Sequence, residues 1–285
     1  MHPKIEEARK AALDILKPSR TELEHGLELH SQSLVFDCYG FAPRAGMNVD
    51  NYAAAMKEGA SHVELRDMFE DEMLTSMATE PAQREAFKEA WDAAGVTCIC
   101  QNAGEEGNDV AVIIKRLAHF CYATDLMREI CPRAVSPADI VDAAEKEHHC
   151  FYMSANGVPI AQNYVSVEDE LRYIRVIFQL GMRMMHLTYN RANLFGAGCG
   201  EPNDGGLTDF GRHVVAEMNR VGVIVDVAHS GGRTSLDAAH VSTRPMVASH
   251  TVAHALSGHY RGKSDTVIEA IADTDGLVGV CAIPG

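Results

Sequence analysis

Two histidines and one arginine in the second half of the chain have residue types and spacing suited to metal and carboxylate chemistry. His229 and His250 each end a short apolar run. If these runs are adjacent strands about 4.8 Å apart, both imidazoles can reach one metal ion, and imidazole suits zinc and other transition metals. Arg261 follows 11 residues after His250 and could bind a substrate carboxylate through paired hydrogen bonds. Two metal-free pocket histidines and a surface salt bridge remain the alternative.

Other candidate motifs do not support a nucleotide site or a serine nucleophile. The glycines of 196–200 do not open a helix directly behind a strand, and 258–263 is one residue short of a P-loop. The chain has no G-x-S-x-G elbow. The eight cysteines form no C-x-x-C pair, which favours reduced, buried thiols over disulfides or a zinc ribbon. We interpret the following as surface or core histidines: His148, His149, His186, His213, His240, His254 and His259.

Seven short apolar runs predict the strands that would carry the candidate residues. Near-continuous runs of this kind are typical of buried parallel strands. Helical patterns lie between several of them, at 167–180, 209–221 and 265–272, and this alternation predicts βαβ units. The runs are 34–38, 95–100, 150–155, 182–188, 223–228, 245–249 and 276–283.

Polar or aromatic residues at the strand ends favour a barrel over a doubly wound sheet. A barrel gathers the carboxyl ends of its strands on one face and places chemistry there. A doubly wound sheet usually has a glycine-rich phosphate turn after its first strand, and residues 39–43 form no such turn. We therefore predict an α/β fold with a (β/α)8 TIM-type barrel. The strand-end residues are Asp37, Tyr39, Asn102, Asn156, Tyr189, His229 and His250.

The number of predicted strands is one short of a closed barrel. Either the eighth strand lies within 56–75, or the sequence is a truncated copy of a longer protein that lacks the eighth strand because it ends early. Residues 1–33 are predicted to be a helical extension. Residues 34–285 are predicted to be the barrel, with a mostly helical insertion at about 103–149.

Composition excludes several classes of protein. With 46% hydrophobic and 23% charged residues, the chain is too apolar to be disordered. The formal net charge is 25 − 40 = −15, which disfavours nucleic-acid binding. No run reaches the roughly 18 apolar residues of a membrane helix, and the start is charged rather than signal-like. We expect a cytoplasmic protein with no membrane partner.

Six motifs in the second half of the chain are specific in combination. They are 178–183 (FQLGMR), 187–190 (LTYN), 206–211 (GLTDFG), 215–222 (VAEMNRVG), 225–230 (VDVAHS) and 248–250 (ASH). Together they resemble the membrane (renal) dipeptidase family, which comprises zinc peptidases on an amidohydrolase-type barrel. The resemblance implies a metal-dependent hydrolase, and it implies a homodimer. It also implies that His229 and His250 are metal ligands and that Arg261 binds substrate.

The sequence departs from this family where further metal ligands would stand. Tyr39 and Phe41 occupy the positions of a ligand histidine and a ligand aspartate on the first strand. Ala155 occupies the position of the glutamate that bridges the two metals, and Tyr189 that of a histidine that stabilises the tetrahedral intermediate. A binuclear site needs a bridging carboxylate, so we expect at most one zinc ion.

Two functional hypotheses follow. In the first, a single metal ion on His229 and His250 supports cleavage of an amide bond in a small, carboxylate-bearing substrate. Tyr189 and Asp226 are the predicted catalytic residues, and Tyr189 would donate a hydrogen bond to the developing oxyanion. The predicted substrate-binding residues are Arg261, Asn156 and Tyr39, and the candidates for a third metal ligand are Asp37, Cys38, Tyr39 and Asp226. In the second, the barrel has lost dipeptidase chemistry and is a metal-free catalyst or small-molecule binder.

Overall fold

A computed structural model describes residues 2–44, 46–104 and 107–281. All seven predicted strands are present, with shifts of a few residues at their ends. The strands are β1 (Phe36–Gly40), β2 (Cys98–Asn102), β3 (Arg133–Ala134), β4 (Cys150–Ala155), β5 (Met182–His186), β6 (Ile224–Asp226), β7 (Val247–Thr251) and β8 (Leu277–Val280); β3 is a short addition that the sequence did not predict.

Helices separate the strands, as the alternating pattern predicted. The helices at 167–180, 209–221 and 265–272 are confirmed as α8, α9 and α12. The helices are α1 (Pro3–Leu16), α2 (Arg20–Gln32), α3 (Val49–Lys57), α4 (His62–Thr79), α5 (Pro81–Ala94), α6 (Val110–Leu126), α7 (Pro137–Glu145), α8 (Val167–Gln179), α9 (Asp209–Val221), α10 (Gly232–Val241), α11 (His254–Ser257) and α12 (Asp265–Ala272).

The strands form one continuous path in the order β1-β2-β4-β5-β6-β7-β8, with β3 paired to β4. From β4 to β8 every pairing is parallel. This is the predicted TIM-type barrel with seven strands in the path, and β1 and β8 stand at its two ends. The suggestion of an eighth strand within 56–75 is wrong, because this stretch lies in the end of α3 and in α4. A capping box between Ser61 and Glu64 starts α4 and explains the helix.

The chain forms two compact units, and β2 and β4 are each divided between them. The first unit comprises Met1–Cys100 and Ala118–Phe151. Its core contains Trp91 and Phe151, whose ring centres are 5.1 Å apart. His149 stacks on Trp91 at 4.9 Å and is bound by Asp92 Oδ1 and the Val96 carbonyl, so it is a satisfied core histidine. No residue of α1 or α2 is buried.

The second unit comprises Gln101–Leu117 and Tyr152–Gly285. Its helices α8 and α9 are amphipathic and begin at the side-chain caps Ser166 and Thr208. Helix α9 ends at Gly222, whose φ of 99° is a left-handed conformation that glycine adopts without steric cost. No helix of the described residues is long and apolar enough to cross a membrane. The division into a helical extension and a barrel stays a prediction.

The register of β5, β6 and β7 arranges the polar residues of the second unit in two levels. His186 pairs with Asp226, and Asp226 pairs with Val247. Because the strands are parallel, the residues three positions further along each chain form a second level. That second level contains Tyr189, His229 and His250.

Candidate metal and catalytic site

Three imidazoles meet at the ends of β5, β6 and β7, and all of them belong to the second unit. The ring centres of His186 and His229 are 5.2 Å apart, those of His186 and His250 are 5.4 Å apart, and those of His229 and His250 are 4.9 Å apart. All three side chains are buried. The strand-end prediction that His229 and His250 lie side by side is therefore geometrically sound, since their Nε2 atoms are 2.9 Å apart.

Hydrogen bonds fix the tautomers of His229 and His250. Ser249 Oγ donates its single proton to the Asp226 carboxylate, so it must accept from His250 Nδ1 at 2.8 Å. His229 Nδ1 lies 2.8 Å from Asn190 Oδ1 and donates to it. Both Nε2 atoms therefore carry lone pairs. Two lone pairs 2.9 Å apart repel each other unless a cation lies beside them.

Asp226 lies beside His186 and holds this cluster through hydrogen bonds and charge. Its carboxylate is fully buried and accepts the backbone N–H groups of Ala228 and Ser249 at 2.8 and 3.1 Å. It also accepts the Ser249 hydroxyl, and His186 Nε2 lies 2.7 Å away. Ligand atoms of His186, Asp226 and His250 lie within 4.8 Å of one another, so this group could hold a metal ion.

The pKa values of these residues follow from burial and neighbouring charge. Burial, with the neighbouring charges of His186 and Arg261, lowers the pKa of His229 to about 2 and that of His250 to about 3, so both rings are neutral at pH 7. Burial alone would raise the pKa of Asp226, but the charge and hydrogen bond of His186 hold it well below its usual range. The site thus combines the neutral imidazoles of His229 and His250 with the ionised carboxylate of Asp226, which are the forms that bind metals.

Arg261 and Tyr189 lie against the histidines. Arg261 Nη2 donates to His229 Nε2 at 3.1 Å and to the His250 carbonyl at 3.2 Å. The Tyr189 ring stacks on His229, with ring centres 3.9 Å apart and planes 17° apart. The side chains of Arg261 and Tyr189 are half-buried. A cationic donor and an aromatic face thus lie beside the paired imidazoles.

A buried lysine holds the chain segment that follows His229. Lys263 Nζ donates to the Ser230 carbonyl at 2.6 Å and to Ser235 Oγ at 3.3 Å. Cys199 N donates to the His229 carbonyl at 2.9 Å. Burial lowers the pKa of Lys263 to about 8. These bonds fix the backbone from which the His229 ring projects.

The remaining predicted site residues have different surroundings. Asn156 is buried directly after β4, beside Ala155. Gly104 approaches Ala155 so closely that a β-carbon at position 104 would stand 2.5 Å from the Ala155 Cβ, so this strand end is tightly packed. Tyr39 belongs to the first unit, where it lies on β1 with its ring edge-on to Phe41.

Sequence reasoning missed His186, Ser249 and Asn190. His186 was interpreted as a histidine within an element, although a signal was present. His186 precedes Tyr189 by three residues, as Asp226 precedes His229, and equal offsets on neighbouring parallel strands put His186 opposite Asp226. No comparable signal marks Ser249 or Asn190 as partners of the two imidazoles.

A family model for membrane dipeptidases (peptidase family M19) matches residues 27–285. The chain belongs to this family. The resemblance predicted from the motifs is therefore confirmed, and so is membership of a family of hydrolases. A dipeptidase of the fungus Claviceps purpurea (strain 20.1), tcpJ, is 34% identical over 134 residues, which are 46% of this chain and 30% of that protein.

Solved structures share the fold of this chain. An amidohydrolase from Pseudomonas aeruginosa is 30% identical with a TM-score of 0.64, covering 89% of this chain and 64% of that one. Dipeptidase AC, described as a metallopeptidase of family M19, is 21% identical with a TM-score of 0.59. That match covers 73% of this chain and 69% of that one, and it supports the barrel fold. The M19 chain thus spans less than two thirds of tcpJ and of the Pseudomonas protein.

Proposed function

We propose that the chain carries the active site of a metal-dependent hydrolase that cleaves an amide bond in a small, carboxylate-bearing substrate. Membership of the membrane dipeptidase family supports the reaction class. The observation that carries the proposal is the pair of Nε2 lone pairs on His229 and His250, 2.9 Å apart with their tautomers fixed.

The donor set at this position fits a single metal ion. His229 and His250 offer neutral nitrogen ligands, and the buried Asp226 carboxylate supplies compensating negative charge. Soft or borderline metals such as zinc prefer imidazole ligands, which makes zinc the proposed ion. A zinc ion bound there would supply a water of lowered pKa and polarise a substrate carbonyl. Because Ala155 replaces a bridging carboxylate, one ion is the expected limit.

Asp226 and Ser249 position His250 in this proposal. The Asp226 carboxylate holds the Ser249 hydroxyl, and that hydroxyl holds the proton on His250 Nδ1. Asp226 has no solvent exposure, so it acts on the reaction through His250 and His186. It was predicted to be catalytic, and the geometry favours a positioning role.

Arg261 is the proposed anchor for the substrate carboxylate. Its guanidinium lies beside the His229 and His250 rings, and its buried Nε has no acceptor among the described residues. A buried donor without an acceptor is costly, and a bidentate carboxylate would relieve that cost. Tyr189, stacked on His229, is proposed to donate to the developing oxyanion. Asn156 and Tyr39 remain proposed substrate-binding residues.

One observation favours the metal-free alternative. In this structure Arg261 Nη2 donates to the Nε2 lone pair of His229 that would bind a metal. A cation is therefore already supplied to one imidazole by the protein. With this contact in place, the site would bind an anionic small molecule without metal. Metal content and turnover separate the two functions.

Hydrolysis of a dipeptide panel with added zinc tests the proposed function. We expect turnover that requires the metal and that falls by about 100-fold or more in Arg261→Met, measured as kcat/KM, because the carboxylate anchor is lost. Arg233→Met, an exposed arginine of α10, is the matched control and should retain activity. Absence of turnover across the panel, combined with a ligand-induced rise in melting temperature, would replace the hydrolase with the metal-free binder.

The remaining expectations complete the proposal. A cytoplasmic location, a small-molecule substrate and a homodimer follow from the sequence and the family resemblance. Residues 1–33 are proposed to form a helical extension to a barrel of residues 34–285 with an insertion at about 103–149. Fractionation of cells and the mass of the protein in solution are the corresponding measurements.

A further inference from the structure

We propose that His186 is a third imidazole ligand, so that the metal site of this chain is a mononuclear tri-histidine site formed by His186, His229 and His250. The inference deepens the proposed function and rests on it only for the presence of a metal ion. It differs from a binuclear, carboxylate-bridged site in having one ion and three imidazole ligands. The three ligands come from the ends of the neighbouring strands β5, β6 and β7.

The spacing of the three rings is that of imidazoles on one tetrahedral ion. Zinc binds an imidazole nitrogen at about 2.0–2.1 Å, and the ring centre lies about 1.2 Å further out, so two rings on a tetrahedral ion have centres roughly 5.2 Å apart. The observed separations are 4.9, 5.2 and 5.4 Å. The three ring centres are therefore spaced as a shared ion requires, and binding would displace Arg261 Nη2 from His229 Nε2.

His229 and His250 each have one nitrogen hydrogen-bonded to an oxygen acceptor, and His186 has one nitrogen in contact with a carboxylate oxygen. His186 Nε2 lies 2.7 Å from Asp226 Oδ2, His250 Nδ1 bonds Ser249 Oγ, and His229 Nδ1 bonds Asn190 Oδ1. Because a metal displaces the proton of a ligating imidazole nitrogen, a ring that faces an acceptor with one nitrogen can offer the other nitrogen to the ion. This is the outer-shell arrangement that orients metal-binding histidines, and its acceptors are a carboxylate, a hydroxyl and an amide.

Asp226 is better suited to the outer shell than to direct coordination. A carboxylate offers about four acceptor positions. Asp226 uses them for two backbone N–H groups, for the Ser249 hydroxyl and for His186. Direct coordination would break at least one of these buried bonds. From the outer shell, one carboxylate orients His186 directly and His250 through Ser249.

The chemistry of three imidazole nitrogens defines the class of metal. Such a set favours zinc, cobalt or copper and disfavours magnesium and calcium, which require oxygen ligands. Three protein ligands leave a fourth tetrahedral position open for water or substrate, which is the arrangement of catalytic rather than structural zinc sites.

X-ray absorption spectroscopy of the zinc-loaded wild-type protein provides the direct test, because it counts the imidazoles bound to the ion without any substitution. We expect one zinc per chain with three imidazole ligands. Two imidazoles would overturn the inference, as would the absence of bound metal. This measurement also decides the question if a substitution at position 186 prevents folding.

Metal titration of variants gives an independent readout. We expect His186→Asn to weaken zinc or cobalt binding by roughly 100-fold or more, since even outer-shell partners contribute 10–100-fold. The matched control is His213→Asn, an exposed histidine of α9, which should bind like wild type. Equal affinity in the two variants would overturn the role of His186.

The measurements of metal ligation and of dipeptide hydrolysis can fail independently of each other. A three-imidazole zinc site without dipeptide turnover would support this inference and refute the proposed hydrolase. Turnover together with two imidazoles and a silent His186→Asn substitution would refute this inference and leave the hydrolase in place.

Discussion

Two clusters of buried titratable side chains on the strands of this protein respond to burial in opposite ways. The thiol cluster consists of Cys98, Cys131 and Cys150 in the first unit, and the histidine cluster of His186, His229 and His250 in the second. In the thiol cluster, the hydrogen bond that the Cys98 thiol makes to Cys150, together with burial, raises the pKa of Cys98, and burial raises that of Cys131 far above its ordinary value. In the histidine cluster, burial lowers the pKa values of His229 and His250.

Burial makes the thiols inert and at the same time leaves the imidazoles in the form that binds metal. A low-dielectric environment disfavours the charged form of any group. The uncharged form of cysteine is the thiol, which neither binds metal nor attacks, whereas the uncharged form of histidine is the metal ligand. Metal chemistry is therefore expected at the histidine cluster alone.

The largest expected effect of a single substitution comes from Asp226→Asn, which removes the anion that anchors the histidine cluster. An amide cannot accept from Ser249, His186 and two backbone N–H groups at once, so buried donors lose their partner. We expect the free energy of unfolding to fall by about 3–5 kcal/mol, measured by urea denaturation. Asp209→Asn, at an exposed site in the first turn of α9, should change it by less than about 1 kcal/mol. Equal losses in the two variants would contradict the anchoring role.

Acid should destabilise the metal-free protein through the histidine cluster. The folded-state pKa values of about 2 for His229 and about 3 for His250 lie below the ordinary value. As pH falls from about 6.5 towards 3, the unfolded chain takes up protons that the folded chain does not, so the unfolding free energy falls in this window. We expect a loss of about 3 kcal/mol from each histidine, or on the order of 6 kcal/mol together, between about pH 7 and pH 4. The double variant His229→Asn/His250→Asn should show a shallower profile, and an unchanged slope would refute this origin.

We expect Lys263 to increase the free energy of unfolding as the pH rises above about 8. Its folded-state pKa of about 8 lies below the ordinary lysine value, so the unfolded chain binds more protons between about pH 8 and 10.4. Stability from this group therefore rises with pH through that window, by roughly 1–2 kcal/mol near pH 9. Lys263→Met should remove the rise, whereas Lys88→Met on α5, whose ammonium is half-exposed, should keep it. Unfolding free energies at pH 7.5 and 9 make the comparison.

We expect the thiol cluster to cause a smaller change of the opposite sign, a decrease in the free energy of unfolding at alkaline pH. Cys131 keeps its proton in the folded state, while the same cysteine ionises above about pH 8.5 in the unfolded chain. Its contribution to stability is therefore complete below that pH and declines above it. Cys131→Ala should flatten this decline relative to the half-buried Cys281→Ala control. Identical pH profiles from 7.5 to 9.5 would exclude the thiol as its source.

The smallest effect, and the most direct test of inert thiols, is chemical modification of the native protein. Cys98, Cys100, Cys131 and Cys150 are buried, and the other four cysteines are half-buried. We expect a thiol reagent to modify no more than four cysteines before unfolding and all eight in denaturant. Rapid modification of more than four in the native state would show that the thiol cluster is open to solvent.

The sequence by itself identified much of the framework that carries the site. Apolar runs marked all seven strands of the path, and the residues at their ends placed His229 beside His250. The apolar pattern was misleading where a stretch of sequence was compatible with either a strand or a helix. The strand suggested within 56–75 falls largely in α4, which begins at the capping box of Ser61 and Glu64.

Only the tertiary structure decided the chemistry of the cluster. Which acceptor orients each imidazole, the position of His186 over Asp226, and the contact of Arg261 with His229 all depend on strand register and on side chains distant in sequence. Periodicity and composition are local properties, so they determine where strands and helices form. Hydrogen-bond partners across strands are set by distances of a few ångströms in space, and those distances exist only once the chain has folded.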